Sequence, residues 1–252
     1  MPPPLELALA AAIVFAAATL QAAVGFGMGL VTVSLLVLLG WTVPEAVATS
    51  AGAAFVQTAY GVYTTREHVP WRTALATSSL QWLTLPLGVA AMAWLDRADP
   101  AVIKQSVGVL VLVLVTSRLV VKPTPRESVA PAWAVLAGAT SGLLAGFIGM
   151  GGPPIAFFAL AHDWDKDRFR AYLWSQFLLL TPLLVAALTW RFGWSMLQFF
   201  AVGVATAPLL AISIKVGLAL THRWERAHLQ RATTVLLYAI GLSAAAAPLI
   251  SS

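Results

Sequence analysis

Two glycine-rich stretches constrain the fold of this 252-residue chain more than any other feature: Val24-Gly25-Phe26-Gly27-Met28-Gly29 and Gly146-Phe147-Ile148-Gly149-Met150-Gly151-Gly152-Pro153-Pro154. Each lies inside a long apolar run. Within hydrocarbon, backbone leaves the helix only where protein or a water-filled cavity satisfies its amides and carbonyls. Paired breaks in matching halves of a chain therefore point to a ligand site at membrane depth.

The residues are 60% hydrophobic and 10% charged, and the polar ones cluster between apolar stretches of spanning length. That pattern describes an integral membrane protein with little mass outside the bilayer. Fifteen Lys and Arg outnumber ten Asp and Glu, but they sit at the edges of apolar segments and form no stripe on a soluble domain. The expected partner is therefore the lipid bilayer and not nucleic acid. The absence of cysteine excludes disulfides, thiolate catalysis and Cys-ligated metals. No Lys or Arg precedes Arg66, so the apolar N-terminus lacks the positive region of a cleaved signal peptide and is expected to be retained.

Apolar stretches run approximately over Leu7 to Leu39, Ala46 to Tyr63, Thr73 to Leu95, Val102 to Val121, Ala132 to Ala161, Ala171 to Trp190, Met196 to Leu220 and Thr233 to Ile250. They form two sets of four, joined by Lys122-Pro123-Thr124-Pro125-Arg126-Glu127, where two prolines and mixed charge oppose a helix. Shifting one half by 122 residues superimposes Gly27-Met28-Gly29 on Gly149-Met150-Gly151 and Pro86 on Pro208, and brings Trp71 nearly onto Trp194. The simplest cause is duplication, with repeats at 1–122 and 132–252 and a loop at 123–131.

The first segment, Leu7 to Leu39, has 33 residues. As one helix it would measure about 50 Å against a hydrocarbon core of about 30 Å. It is either a long tilted helix or a segment that breaks at the glycines and returns to its side of entry. Loop charge discriminates between these. If all eight stretches cross, the fifteen basic residues divide six against nine. If the first stretch of each half returns, Arg66, Arg72, Arg118, Lys122, Arg126, Lys166, Arg168, Arg170, Lys215, Arg223, Arg226 and Arg231 share a face. Only Arg97, Lys104 and Arg191 oppose them. The second division is the asymmetry expected of a cytoplasmic face. A returning segment plus three crossings is an odd number, so the halves must be inverted and both termini extracytoplasmic. The expected fold class is all-α: a polytopic transmembrane helical protein with two inverted repeats, each a broken or re-entrant first segment plus three membrane-spanning helices.

The segments Gln21-Ala22-Ala23-Val24-Gly25-Phe26-Gly27-Met28-Gly29-Leu30-Val31 and Ser141-Gly142-Leu143-Leu144-Ala145-Gly146-Phe147-Ile148-Gly149-Met150-Gly151-Gly152-Pro153-Pro154 resemble the two signature regions of the sulfite exporter TauE/SafE family. The resemblance extends over essentially the whole chain. It implies a secondary transporter, of exporter type, for sulfur-containing oxyanions such as sulfite, sulfonates or sulfoacetate, in the cytoplasmic (inner) membrane of a prokaryote. Pro153 stands where many members carry a third consecutive glycine. An anion channel, or a transporter of another small organic anion, is the alternative on the same architecture. A homo-oligomer is left open.

An oxyanion crossing a bilayer needs donors that replace its water without holding it fast. The first amides of a helix have no partner within it, and the helix dipole is positive there. Glycine permits close backbone approach, and proline suits a first turn. Helices starting near Gly29 and Gly152 are therefore expected to face one cavity, with Gly25, Gly27, Gly29, Gly149, Gly151, Gly152 and Pro153 as substrate-binding positions. The competing role for these glycines is close helix packing. Gln21, Gln57 and Gln176 join the candidates because a buried amide is hard to satisfy within its own helix. Ser and Thr in the spans, including Ser50, Ser78 and Ser141, more often bond their own helix carbonyls.

Other features are assigned plainer roles. Lys215 is read as snorkelling to the cytoplasmic edge. Trp41, Trp71, Trp94, Trp133, Trp164, Trp190, Trp194 and Trp224 flank apolar segments as interfacial anchors. His68, His162, His222 and His228 fall in loops, and Asp163, Asp165 and Asp167 alternate with Trp164, Lys166 and Arg168 as a solvated loop would. No metal, cofactor or enzymatic activity is expected. All ten carboxylates lie near segment ends or in loops, so none offers itself as a mid-membrane proton carrier or sodium ligand.

Overall fold

The computed structural model describes residues 3–24, 27–121, 123–223 and 226–250. Of the positions singled out from the sequence, Gly25, Lys122 and Trp224 lie outside the described residues, as do the side chains of Arg118, His222, Arg223 and Arg226. The described residues form eleven α-helices and one 3₁₀ turn: α1 (Pro4–Val24), α2 (Met28–Leu38), α3 (Val43–Thr65), the turn Arg66–His68, α4 (Trp71–Leu95), α5 (Pro100–Val120), α6 (Pro131–Ile148), α7 (Gly152–Leu160), α8 (Lys166–Phe192), α9 (Ser195–Ala205), α10 (Ala207–Arg223) and α11 (Arg226–Ile250). The protein is a helical membrane protein. Helices α1, α5, α6 and α8 are long and apolar enough to cross a bilayer, and α9 with α10 makes a fifth such span, bent by 47°.

Local chemistry sets the helix ends. Thr42 and Glu45 form a reciprocal capping box at the start of α3, and Pro44 sits in its first turn. Asp165 caps α8 by accepting from the amides of Asp167 and Arg168, which gives one carboxylate of the alternating acidic run a structural task. The two prolines related by the 122-residue offset behave differently. Pro86 is carried inside a continuous α4, whereas the chain breaks at Thr206 and Pro208 falls in the first turn of α10. A proline in a first turn has no amide to lose.

Helices related by the 122-residue offset exchange partners. Helix α1 packs on α10 while α6 packs on α4, and α3 meets α8 as α5 meets α11. The α4–α6 seam is built from glycine. A Cβ on Gly142 would meet the Gln81 carbonyl, and one on Gly146 or Gly88 would strike backbone of the facing helix. Such close approach between helices needs the smallest side chain.

Helix α6 enters and α7 leaves at one end of the molecule. The Arg126 amide donates to the Ala161 carbonyl at 3.0 Å, and the Asp163 amide donates to the Arg126 carbonyl at 3.1 Å. The residues just before α6 are thus tied to those just after α7. A second cluster joins Val69, Val129, Ala134, Trp164 and Phe169 at the same end. Trp41 packs edge-on against Phe199 with ring centroids 5.5 Å apart, which ties the α2–α3 connection to α9. Trp41 is buried, so it is not the exposed interfacial anchor expected of it; Trp94, Trp133, Trp190 and Trp194 are exposed. The short connection between α2 and α3 folds Trp41 inward beneath α9.

Candidate functional site

The two glycine breaks meet. Met28 opens α2 after Gly27, and Gly152 opens α7 after Gly151. A Cβ placed on Gly29 would lie 2.7 Å from the Gly149 carbonyl oxygen, so backbone from one motif rests against backbone from the other. Gly27 and Gly149 adopt φ of 109° and 70°, where side chains are rarely tolerated. The left-handed turn at Gly149 closes α6: its amide donates to Ala145, and the next amide, of Met150, reaches back to Leu144.

Around this junction lies a cavity of about 70 Å³. A water needs about 10–15 Å³ by the same measure, so the space holds a few waters or one ion of comparable bulk. Gln21, Gly27, Gly29, Gly149, Gly151, Gly152 and Pro153 line it, with Ser50 from α3 and Phe177 and Thr181 from α8. Among the described residues, no lining side chain carries a charge. Lys215 is exposed on α10 and does not line the cavity.

The three glutamines have different surroundings. Gln21 reaches the cavity, where its Oε1 accepts from the Met28 amide at 3.1 Å and its Nε2 donates to Gln57 Oε1 at 3.2 Å. It therefore caps α2 and ties α1 to α3. Gln57 stands behind it and is not part of the lining. Gln176 is buried elsewhere: its Oε1 accepts from Thr77 and Ser78, and its Nε2 donates to the Ala74 carbonyl. It fastens α8 to α4.

The donors that remain are few. Pro153 and Pro154 have no N–H, so the first turn of α7 offers the amides of Gly151 and Gly152, neither of which has an acceptor among the described residues. Ser50 is buried at the cavity wall, and its hydroxyl has no hydrogen-bond partner among the described residues. Thr181 commits its hydroxyl to the Phe177 carbonyl. In the sequence Ser50 is one of many in-span hydroxyls; only the fold distinguishes it from Thr58, which bonds the Ala54 carbonyl one turn back. Phe177, whose ring would meet a Cβ on Gly152 at 3.2 Å, joins the site without any signal in its apolar helix.

The family model of the sulfite exporter TauE/SafE matches residues 9–244. The chain belongs to the TauE/SafE family. No curated protein and no solved structure matches it. The TauE/SafE match spans both glycine motifs and nearly all of both halves, which makes the chain a member of a family of membrane transporters.

Proposed function

We propose that this TauE/SafE protein is a secondary transporter that exports small sulfur-containing oxyanions, such as sulfite, sulfonates or sulfoacetate, across the cytoplasmic membrane of a prokaryote. The observation that carries the proposal is the meeting of the two broken segments at an uncharged cavity lined by Gly27, Gly29, Gly149, Gly151 and Gly152. Neutral amide and hydroxyl donors can replace an anion's water and still release it, whereas a buried fixed cation would hold it. We read the halves as inverted repeats with both termini outside, in keeping with the exchange of helix partners and with the return of α7 to the point where α6 begins.

Export of an anion from a negative cytoplasm is already driven, at about 2.3 kcal/mol per charge per 100 mV. Among the described residues no carboxylate lines the cavity, and the reading we adopt is export without proton or sodium coupling. The test is counterflow with purified protein in liposomes across sulfite, thiosulfate, taurine, sulfoacetate and simple carboxylates. Saturable exchange confined to sulfur oxyanions is the expected result. Equal exchange of carboxylates removes the substrate class, conductance without saturation replaces carrier by channel, and a strict need for a proton or sodium gradient removes uncoupled export. Gly152→Leu should abolish exchange with normal membrane insertion, because its side chain grows into the space before Phe177.

A further inference from the structure

Resting on the reading of the cavity as an anion site, we propose that Gln81 and Ser141 form a hydrogen-bond relay that makes the Gly151–Gly152 peptide the cavity's principal anion donor. Neither side chain lines the cavity, and both are buried. They are positioning residues.

The number of available protons fixes the direction of the relay. Ser141 Oγ lies 2.6 Å from the Gly151 carbonyl oxygen, which can only accept. The single hydroxyl proton of Ser141 therefore sits between them. Gln81 approaches the same Oγ at 2.8 Å, and with that proton already engaged the approaching atom must be the donor Nε2. The Gln81 Oε1 is left buried without a partner among the described residues. Turned the other way, the amide would present this oxygen to Ser141 and take the proton from Gly151. The orientation that leaves Gln81 Oε1 unpartnered is the one that keeps the Ser141 proton on the peptide.

Gly151's carbonyl and Gly152's N–H belong to one peptide group. A hydrogen bond to its oxygen polarises it and makes its N–H a stronger donor. The same bond, with no room for a Cβ between Gly151 and Ser141 or Ala145, holds the plane of that peptide against α6. Prolines at 153 and 154 remove the next two amides, so the enhancement falls where donors are scarcest. The first half has the opposite arrangement. There Gln21 Oε1 accepts from the Met28 amide and withdraws a donor at the start of α2. At the first break a side chain takes up an amide and at the second a side chain bonds a carbonyl, and this opposed polarity is our ground for placing the principal donor at the second.

The test uses the full-length protein and three variants: Ser141→Ala, Ser141→Cys, which keeps the bulk with a feeble donor, and Gln81→Met. Gly151–Gly152 is the one Gly-Gly pair in the sequence, so protein labelled with glycine carrying ¹³C at the carbonyl and ¹⁵N gives a single carbonyl–amide correlation. In anion-free detergent solution, that correlation should move upfield in both dimensions in the two Ser141 variants, and less far in Gln81→Met. In counterflow, KM for sulfite should rise about tenfold for Ser141→Ala and Ser141→Cys with Vmax within about twofold, the size expected for one weakened bond to a charged ligand. A purely space-filling Ser141 would leave Ser141→Cys with wild-type KM. That result, or an unmoved correlation in Ser141→Cys, overturns the relay. If the wild type carries no sulfur oxyanion, the anion-site reading fails, while the anion-free correlation still decides the relay.

Discussion

Three glycines of the paired motifs are required for three separable reasons. Gly27 has φ of 109° and nothing within 4 Å of the place a methyl group would take, so Gly27→Ala incurs only backbone strain. Of order 1–2 kcal/mol, that strain should lower thermal stability. Gly29 has an ordinary φ but faces the Gly149 oxygen at 2.7 Å. Gly29→Ala should therefore part the two breaks and reduce transport more than it reduces the melting temperature. Gly149 combines φ of 70° with Val47 methyl carbons at 3.0 and 3.1 Å, so Gly149→Ala should do both. Thermal unfolding and counterflow on the three variants separate these outcomes. Ser50→Ala should raise KM by about tenfold through loss of one hydroxyl donor. The glycines are legible in the sequence because a break at membrane depth has few causes. The roles of the glutamines are not: Gln21, Gln57 and Gln176 look alike in an apolar run, and only their neighbours make one a cap, one its support and one a brace between α4 and α8.

At the scale of helices, a shift of 122 residues lays α1, α2, α3 and α5 near α6, α7, α8 and α11, and α4 over α9 and α10, which a break separates. That break, at Thr206, is foreshadowed by Pro208, yet Pro86 at the matching position leaves α4 whole. Proline marks a place where a helix can bend; its neighbours decide whether it does. The α4–α6 seam is less visible, because Gly138, Gly142 and Gly146 read equally well as part of the glycine motif that follows. Their true partner is α4, and Gly142→Leu should cost about 1–3 kcal/mol by overpacking, seen as a lower melting temperature and loss of monodispersity in detergent. The helix ends also carry a pH signature. Asp96, just past α4, has its carboxyl raised above the ordinary 3.8, first by burial and then by Glu45 at the start of α3, with Arg191 at the end of α8 opposing. A raised carboxyl favours the folded state while protonated, so that contribution is present below 3.8 and is lost as pH rises through the higher folded-state value. Asp96→Asn should modestly raise the melting temperature at neutral pH and leave it unchanged in acid.

For the whole molecule, the sequence evidence on topology is the division of basic residues, twelve against three, which only a returning first segment produces. Two sets of contacts sort the connections in a compatible way. Val69, Val129, Ala134, Trp164 and Phe169 gather the connections near Arg66, Arg126 and Lys166 at one end, and Asp96 shares the field of Glu45 and Arg191 at the other. Periodicity cannot supply this, because helices exposed to lipid on one side and packed on the other are apolar all round. On the positive-inside rule we read the first end as cytoplasmic. The chain has no cysteine, so each introduced thiol reports alone. In intact cells Asp99→Cys should react with a membrane-impermeant maleimide, while Glu67→Cys and Asp163→Cys should react only after the membrane is opened. Both termini should behave as Asp99→Cys does, for the returning segments leave an odd number of crossings in each half. Labelling of Asp163→Cys and Asp99→Cys from the same side would require α8 to stop short of crossing, and with it the inverted arrangement would fall.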